Sequence, residues 1–186
     1  MKRNPQVWNV ANGITALRMA GTLGLLIPRP LSPAFFVLYT LTGVTDVLDG
    51  WTARRMKIAS QWGARLDSIA DLMFYGVTML RLLPILWELL PPELWAAVGG
   101  VLLLRLSSYT LAAVKYRRFA SLHTYLNKLS GAAVFAIPYG LLLPAGVPFC
   151  WAVWGITAAA SAEELLIHLR EKTYCPDRKS ILKRAC

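Results

Sequence analysis

The sequence predicts an all-α fold, an integral membrane bundle of six transmembrane helices with both termini in the cytoplasm. Three observations lead to this prediction. Of the 186 residues, 56% are hydrophobic and 16% are charged, whereas soluble domains carry about 25% charged residues. Six apolar stretches each approach the roughly 20 residues that a helix needs to cross the hydrocarbon layer. Basic residues collect in alternate gaps between these stretches, as expected for cytoplasmic loops.

The first three candidate spans are 9–28, 33–53 and 62–83. Proline favours a helix end, because it lacks an amide donor and clashes with the preceding turn. Pro28, Pro30 and Pro33 accordingly separate the first span from the second. The second and third spans are instead separated by a short basic gap. Both of them carry aspartates at the ends that face this gap.

The last three candidate spans are 94–114, 129–144 and 148–169. Prolines mark the ends expected on either side of them, at Pro84, Pro91, Pro92, Pro144 and Pro148. The fifth span is short, and Pro138 interrupts it. The spans together form one predicted membrane domain, residues 1–170. The remaining residues, 171–186, form a basic cytoplasmic tail that anionic lipid headgroups are expected to attract.

The charge pattern sets the predicted orientation. The N-terminal end, the gap after span two, the gap after span four and the stretch from Arg170 onward hold two, three, four and six basic residues, fifteen in all. The other gaps hold a single basic residue, Arg29, together with Glu88 and Glu93. Because Lys and Arg favour cytoplasmic loops, both termini are expected in the cytoplasm. The net charge of +10 is therefore interpreted as membrane topology and not as nucleic-acid binding.

Four aspartates lie at the predicted cytoplasmic ends of spans two and three: Asp46, Asp49, Asp67 and Asp71. Within each pair the spacing is three or four residues, which places both side chains on one helix face. Gly50 and Ala53 continue the first face, and Gly63 precedes the second pair by four residues. Small residues at these positions leave room for a ligand or a neighbouring backbone.

Four carboxylates close together at a membrane surface raise one another's pKa unless cations balance them. Oxygen ligands of this kind fit two divalent cations, Mg²⁺ or Mn²⁺, and such a pair of ions supports phosphoryl displacement. One carboxylate is then available as a general base. Two alternatives stay open. The aspartates could form structural salt bridges with Arg54, Arg55 or Arg65, or they could belong to a membrane cation or proton carrier.

The stretch has the pattern D-x2-D-G-x2-A-R-x8-G-x3-D-x3-D, in which eight fixed positions fall within 26 residues. It is filled by Asp46, Asp49, Gly50, Ala53, Arg54, Gly63, Asp67 and Asp71. This pattern resembles the signature of the CDP-alcohol phosphotransferase family, also called CDP-alcohol phosphatidyltransferases. The resemblance implies six transmembrane helices, cytoplasmic termini and a homodimer.

A second likeness lies in the first span. Asn12, Thr15 and Arg18 follow the N-x2-T-x2-R pattern that is often seen there in this family. The spacing of three gives one slowly drifting helix face. Asn12 or Thr15 could also be simple helix caps. Arg18 lies inside an apolar span, where it could balance the acidic cluster or bind a phosphate.

The resemblance implies a reaction in phospholipid biosynthesis. A CDP-linked lipid such as CDP-diacylglycerol binds through its diphosphate, an alcohol attacks the lipid-side phosphorus, and CMP leaves. By the motif, the metal ligands are Asp46, Asp49, Asp67 and Asp71, and Asp71 is also the catalytic general base. The residues implied to bind the CDP group are Gly50, Ala53, Arg54, Gly63, Asn12 and Thr15.

The acceptor alcohol is expected to be glycerol 3-phosphate, with serine, inositol phosphate or another polar alcohol as alternatives. An anionic acceptor requires basic side chains, and the candidates are Arg105, Arg118 and Lys128. For Arg105 the structural alternative is a salt bridge to Glu163 or Glu164. For Arg118 it is a topology charge at the headgroups. The expected location is a bacterial plasma membrane, with the active site on the cytoplasmic side.

Overall fold

The computed structural model describes residues 10–55, 61–117, 122, 124–171 and 178–181. These residues form seven α-helices and, in the described part of the chain, no strand. In chain order the helices are α1 (Val10–Gly24), α2 (Pro33–Arg55), α3 (Gln61–Leu89), α4 (Pro92–Tyr116), α5 (Tyr125–Phe135), α6 (Ile137–Gly140) and α7 (Gly146–Arg170). The prediction of an all-α fold is therefore confirmed.

Three helical segments among the described residues are long and apolar enough to cross a membrane: Arg65–Leu89, Pro92–Tyr116 and Gly146–Arg170. They correspond to the third, fourth and sixth predicted spans. The first and second predicted spans also form helices, α1 and α2. The count of six crossings and the cytoplasmic position of both termini stay predictions.

Pro84 does not end the third helix, so the prediction that it would do so is wrong. Helix α3 continues through this residue to Leu89. A proline inside a helix removes one hydrogen bond and kinks the axis. Membrane helices tolerate this, because nearby side chains and local adjustments satisfy the freed carbonyl.

The fifth predicted span is not one continuous helix. Helix α5 ends at Phe135, and the short helix α6 begins at Ile137. Pro138 lies in the first turn of α6, the position at which a proline ring is compatible with a helix. The same ring would clash with a carbonyl four residues earlier if the helix ran through. The break agrees with the interruption predicted at Pro138.

The chain divides into two compact units, Met1–Glu88 and Leu89–Cys186. In the first unit α1 packs closely on α2, and an added Cβ at Gly21 would lie 2.9 Å from Thr42 Oγ1. An aromatic stack joins α2 to α3, since the rings of Tyr39 and Phe74 lie 5.1 Å apart. These contacts fix the helices that carry the aspartates.

In the second unit α4 and α5 pack against α7. The buried face of α7 includes Val153, Ala160 and Ile167. Gly140 of α6 meets the ring of Phe149 so closely that an added Cβ would lie 2.1 Å from it. The C-terminal half of α7 also buries polar side chains, among them Glu163, Glu164 and His168.

Candidate active site

Three of the predicted aspartates converge in the first unit. Asp46 lies near the C-terminal end of α2, and Asp67 and Asp71 lie one turn apart near the start of α3. One carboxylate oxygen of each lies within 4.8 Å of the others. Each carboxylate is about half exposed, with 46–49% of its side-chain surface accessible. The predicted meeting of the two helix ends is therefore present.

Arg18 of α1 supplies the positive charge between these carboxylates. Its side chain is almost fully buried. Nη2 donates to Asp67 Oδ1 at 2.6 Å and to the Asp67 carbonyl at 3.2 Å. Nη1 contacts Asp46 Oδ1 and lies 3.3 Å from Asp71 Oδ1. Of the roles left open by the sequence, Arg18 has in this structure that of balancing the acidic cluster.

Neighbouring turns of α1 support the position of Arg18. Thr15 is buried one turn before it. Thr22 Oγ1 donates to the Arg18 carbonyl at 2.9 Å. Such a bond satisfies the hydroxyl inside the helix without a partner from another element. The polar N-x2-T-x2-R face of α1 thus points, at Arg18, toward α2 and α3.

The donor set fits a divalent cation of the hard, oxygen-preferring class. Three carboxylates against one guanidinium leave a formal negative charge at the cluster. Mg²⁺ and Mn²⁺ are bound by carboxylates, water and phosphate oxygens. The carboxylates are about half exposed, so water can reach them. The arrangement can hold a metal and has a further carboxylate available as a base.

The remaining predicted residues of this site are placed by their backbone only in part. Helix α2 contains Asp49, Gly50, Ala53 and Arg54, and α1 contains Asn12, but their side chains lie outside the described residues. Gly63 lies on α3, one turn before Asp67. Their roles in metal and CDP binding stay predictions. The ion pairs described for Asp46, Asp67 and Asp71 are made by Arg18, and Arg65 forms none with the described residues. The side chains of the other two alternative partners, Arg54 and Arg55, lie outside the described residues.

Arg105 of α4 lies in the second unit, and its three hydrogen bonds go to neutral oxygens. Nε donates to Ser161 Oγ at 3.3 Å, Nη1 to Tyr109 Oη at 3.2 Å, and Nη2 to Asn127 Oδ1 at 2.9 Å. Glu163 and Glu164 form no ion pair with it among the described residues. The predicted salt-bridge alternative for Arg105 is therefore wrong.

The two glutamates bind other groups. Glu164 accepts from the backbone N–H of Leu122 and from the Asn127 side chain, both at 3.1 Å. Glu163 accepts from Ser180 Oγ at 3.1 Å and from the backbone N–H of Ile181 at 3.0 Å. Both carboxylates thus hold loop or tail segments against α7.

The other two acceptor candidates differ in how they are placed. Lys128 lies in the first turn of α5 with an exposed side chain. Arg118 lies outside the described residues. Asn127, the residue before Lys128, was missed from the sequence. Its contact with Arg105 depends on how α4, α5 and α7 pack, which the sequence alone does not show.

Comparison with known proteins identifies the family of this chain. The chain matches the family model for CDP-alcohol phosphatidyltransferase over residues 8–162. No solved structure matches it.

Three curated relatives carry closely similar names. A "CDP-diacylglycerol--glycerol-3-phosphate 3-phosphatidyltransferase" from Cereibacter sphaeroides is 39% identical over 70 residues, which are 34% of this chain and 32% of that protein. The Rickettsia bellii protein of the same name is 32% identical over 80 residues, 40% of this chain and 44% of the relative. The Arabidopsis thaliana "CDP-diacylglycerol--glycerol-3-phosphate 3-phosphatidyltransferase 2" is 26% identical over 125 residues, 60% and 54% of the two chains.

The matched part of this chain thus spans about half or less of the length of these relatives. The family match is longer. It includes α1 with Arg18 and the aspartate-bearing ends of α2 and α3. Because that match covers most of the sequence, this chain belongs to the CDP-alcohol phosphatidyltransferase family.

Proposed function

We propose that this protein transfers a phosphatidyl group from CDP-diacylglycerol to glycerol 3-phosphate and releases CMP. The observation that carries the proposal is the convergence of Asp46, Asp67 and Asp71 within 4.8 Å in a chain of this family. Two divalent cations, Mg²⁺ or Mn²⁺, held by these residues and Asp49, would neutralise the diphosphate and its developing charge.

The residues of the chain have separate tasks in the proposed reaction. The acceptor hydroxyl oxygen forms a bond to the phosphatidyl phosphorus as the bond from that phosphorus to the CMP oxygen breaks. Asp71 takes the proton of the hydroxyl. Gly50, Ala53, Arg54, Gly63, Asn12 and Thr15 line the proposed CDP pocket. Holding both substrates in line supplies much of the rate enhancement.

The acceptor is proposed from charge. Among the described residues Arg105 donates to neutral oxygens and forms no ion pair, and Lys128 adds a second, exposed cation. Both suit a phosphate-bearing alcohol, with Arg118 as a third proposed contact. The names of the relatives mention glycerol 3-phosphate. Purified protein given CDP-diacylglycerol, Mn²⁺ and a panel of alcohols should form most product with glycerol 3-phosphate. Preference for serine or inositol phosphate would correct the acceptor only.

Asp71→Asn tests the base. A general base contributes about 10²–10⁴-fold to rate, so we expect CMP release to fall at least 100-fold while the melting temperature in detergent changes little. Glu88→Gln is the matched control, because it makes the same chemical change at an exposed position of the same helix, and it should keep full turnover. Full turnover in Asp71→Asn would remove this residue from the base role. Ion flux into proteoliposomes without CMP release would favour the carrier alternative.

The setting of the reaction is part of the proposal. The basic gaps support an integral membrane protein with the active site on the cytoplasmic side, and we propose a bacterial plasma membrane as its location. The family resemblance supports a homodimer. Native mass spectrometry from detergent or nanodiscs should therefore show twice the chain mass of 20.6 kDa. A purely monomeric, fully active preparation would contradict the predicted homodimer and would leave the proposed reaction unaffected.

A further inference from the structure

A buried polar chain in the second unit leads from α7 to Arg105. Its first member, Glu164, is fully buried, with 0% of its surface exposed. The two oxygens of its carboxylate are used separately: Oε1 accepts from the Leu122 backbone N–H, and Oε2 accepts from Asn127 Nδ2, both at 3.1 Å. A buried carboxylate is costly unless it is hydrogen-bonded, so these two donors are fixed to it.

The partners of Asn127 leave its amide only one orientation. Nδ2 donates to Glu164 Oε2 at 3.1 Å and to the Leu122 carbonyl at 2.8 Å. Oδ1 accepts from Arg105 Nη2 at 2.9 Å. A carboxylate and a carbonyl can only accept, and a guanidinium can only donate. A flipped amide would therefore lose all three bonds.

The backbone of Asn127 is fixed as well. It lies in the first turn of α5, where the side chain of Thr124 caps the helix and accepts from the Asn127 N–H at 3.2 Å. Thr124 is fully buried. The next residue is Lys128, so the same cap sets the place of that exposed cation.

Arg105 retains binding capacity after these contacts. A guanidinium has five N–H donors, and three hydrogen bonds are formed, one each from Nε, Nη1 and Nη2. One N–H on each terminal nitrogen is therefore left for a ligand. Two such donors can bind two oxygens of a phosphate. All three protein acceptors are uncharged, so the positive charge of Arg105 can pair with an anionic ligand.

We propose that Asn127 is a positioning residue for the acceptor. Fixed by Glu164, it aims the two remaining terminal N–H groups of Arg105 at the phosphate monoester of the incoming alcohol. An aspartate at this place would neutralise Arg105, whereas an asparagine orients it and preserves its charge. This inference rests on the proposed function, in which the acceptor carries a phosphate.

Asn127→Leu removes the amide at similar volume. The KM for glycerol 3-phosphate should rise about tenfold, the effect of losing one oriented charge-assisted hydrogen bond, and the inhibition constant of inorganic phosphate should rise with it. The KM for CDP-diacylglycerol and kcat should move much less. Thr110→Val, an exposed change on the helix of Arg105, is the matched control. If the leucine variant fails to fold, Asn127→Ser takes its place.

A double-mutant cycle separates positioning from a structural role. Glu164→Gln should raise the same KM, because one oxygen is replaced by a donor, and it should add nothing once Asn127 is leucine. Additive effects, equal rises in both KM values, or an unchanged glycerol 3-phosphate KM in an active protein would overturn the inference.

A wild type that releases no CMP with glycerol 3-phosphate would instead overturn the proposed function. Thermal shift then decides the inference by itself. Glycerol 3-phosphate should stabilise the wild type and not Asn127→Leu, and equal shifts in both would sink it.

Discussion

Arg18 is the residue on which the acidic cluster of the first unit depends. Its buried guanidinium contacts three carboxylates that come from two other helices. In the absence of a cation these carboxylates would repel one another. A single side chain therefore links α1, α2 and α3 where the chemistry is proposed. If a metal binds, Arg18 and the metal together neutralise the same three carboxylates.

Replacing Arg18 by glutamine should make the protein depend on metal for its stability. Removing one partner of a partly buried ion-pair cluster costs about 2 kcal/mol, so the melting temperature in EDTA should fall by several degrees. Added Mn²⁺ should recover more of it in the variant than in the wild type, since the carboxylates are no longer shared with a guanidinium. Differential scanning fluorimetry in detergent measures both.

Arg65→Gln is the control for Arg18. It removes the same charge from an exposed position on α3 and should leave both melting curves as in the wild type. If Mn²⁺ shifts neither the wild type nor the Arg18 variant, the aspartates do not hold a metal under these conditions, and the proposed cofactor is contradicted.

At the scale of elements, the positions of the helices could be predicted from the sequence, whereas some of their ends depend on tertiary packing. The apolar runs and the aspartate spacing were sufficient to predict α1 to α4, α7 and the meeting of Asp46 with Asp67 and Asp71. Pro138 predicted the break between α5 and α6. The run of α3 through Pro84 was not predictable, because a proline signals the loss of one hydrogen bond and not whether the surroundings offset it. Neither was the Asn127–Arg105 contact, which depends on three packed helices.

Gly140 tests how tightly α6 is held on α7. Gly140→Ala should destabilise the protein by about 1–3 kcal/mol, because the new Cβ would lie 2.1 Å from the Phe149 ring and the ring must move. Gly99→Ala is the matched control, since nothing lies within 4 Å of a Cβ there. Alanine also favours a helix over glycine by about 1 kcal/mol, so this control should be neutral or stabilised.

The comparison is measured by thermal unfolding of the two glycine variants in the same detergent. Equal melting temperatures would mean that the ring of Phe149 is free to rotate away, and the close packing of the two helices would be contradicted.

At the scale of the whole molecule, the two units carry polar clusters of opposite preference. The first gathers carboxylates, which suit cations, and the second holds Arg105 by neutral oxygens, which suits the proposed anionic acceptor. The proposed reaction involves a diphosphate, which cations bind, and an acceptor phosphate, which a guanidinium binds. This division was predictable from the positions of the aspartates and of Arg105 in the sequence. The neutral hydrogen-bond partners of Arg105 were not predictable, because the sequence offers the oppositely charged glutamates of α7 as the more obvious partners.

The number of membrane crossings has a direct consequence for the two ends of the chain. Six crossings place both termini on the same side, whereas three place them on opposite sides. We expect a small tag at either end to be inaccessible to a membrane-impermeant reagent in intact cells and accessible in inside-out vesicles, as the basic gaps predict. A cysteine placed at Glu88, on an otherwise cysteine-free background, should give the reverse result. Opposite labelling of the two tags would contradict the even count.

The contact between Glu163 and residues 180–181 limits how far the protein can be shortened. Ser180 and Ile181 supply both donors to one oxygen of a carboxylate that is 8% exposed, and Arg178 joins the same segment to Glu171. A protein that stopped at residue 170 would keep every helix described here but would remove both hydrogen-bond donors from this buried carboxylate. The segment at residues 178–181, which the sequence predicts to be part of a tail, is therefore packed against α7 and satisfies one of its buried carboxylates.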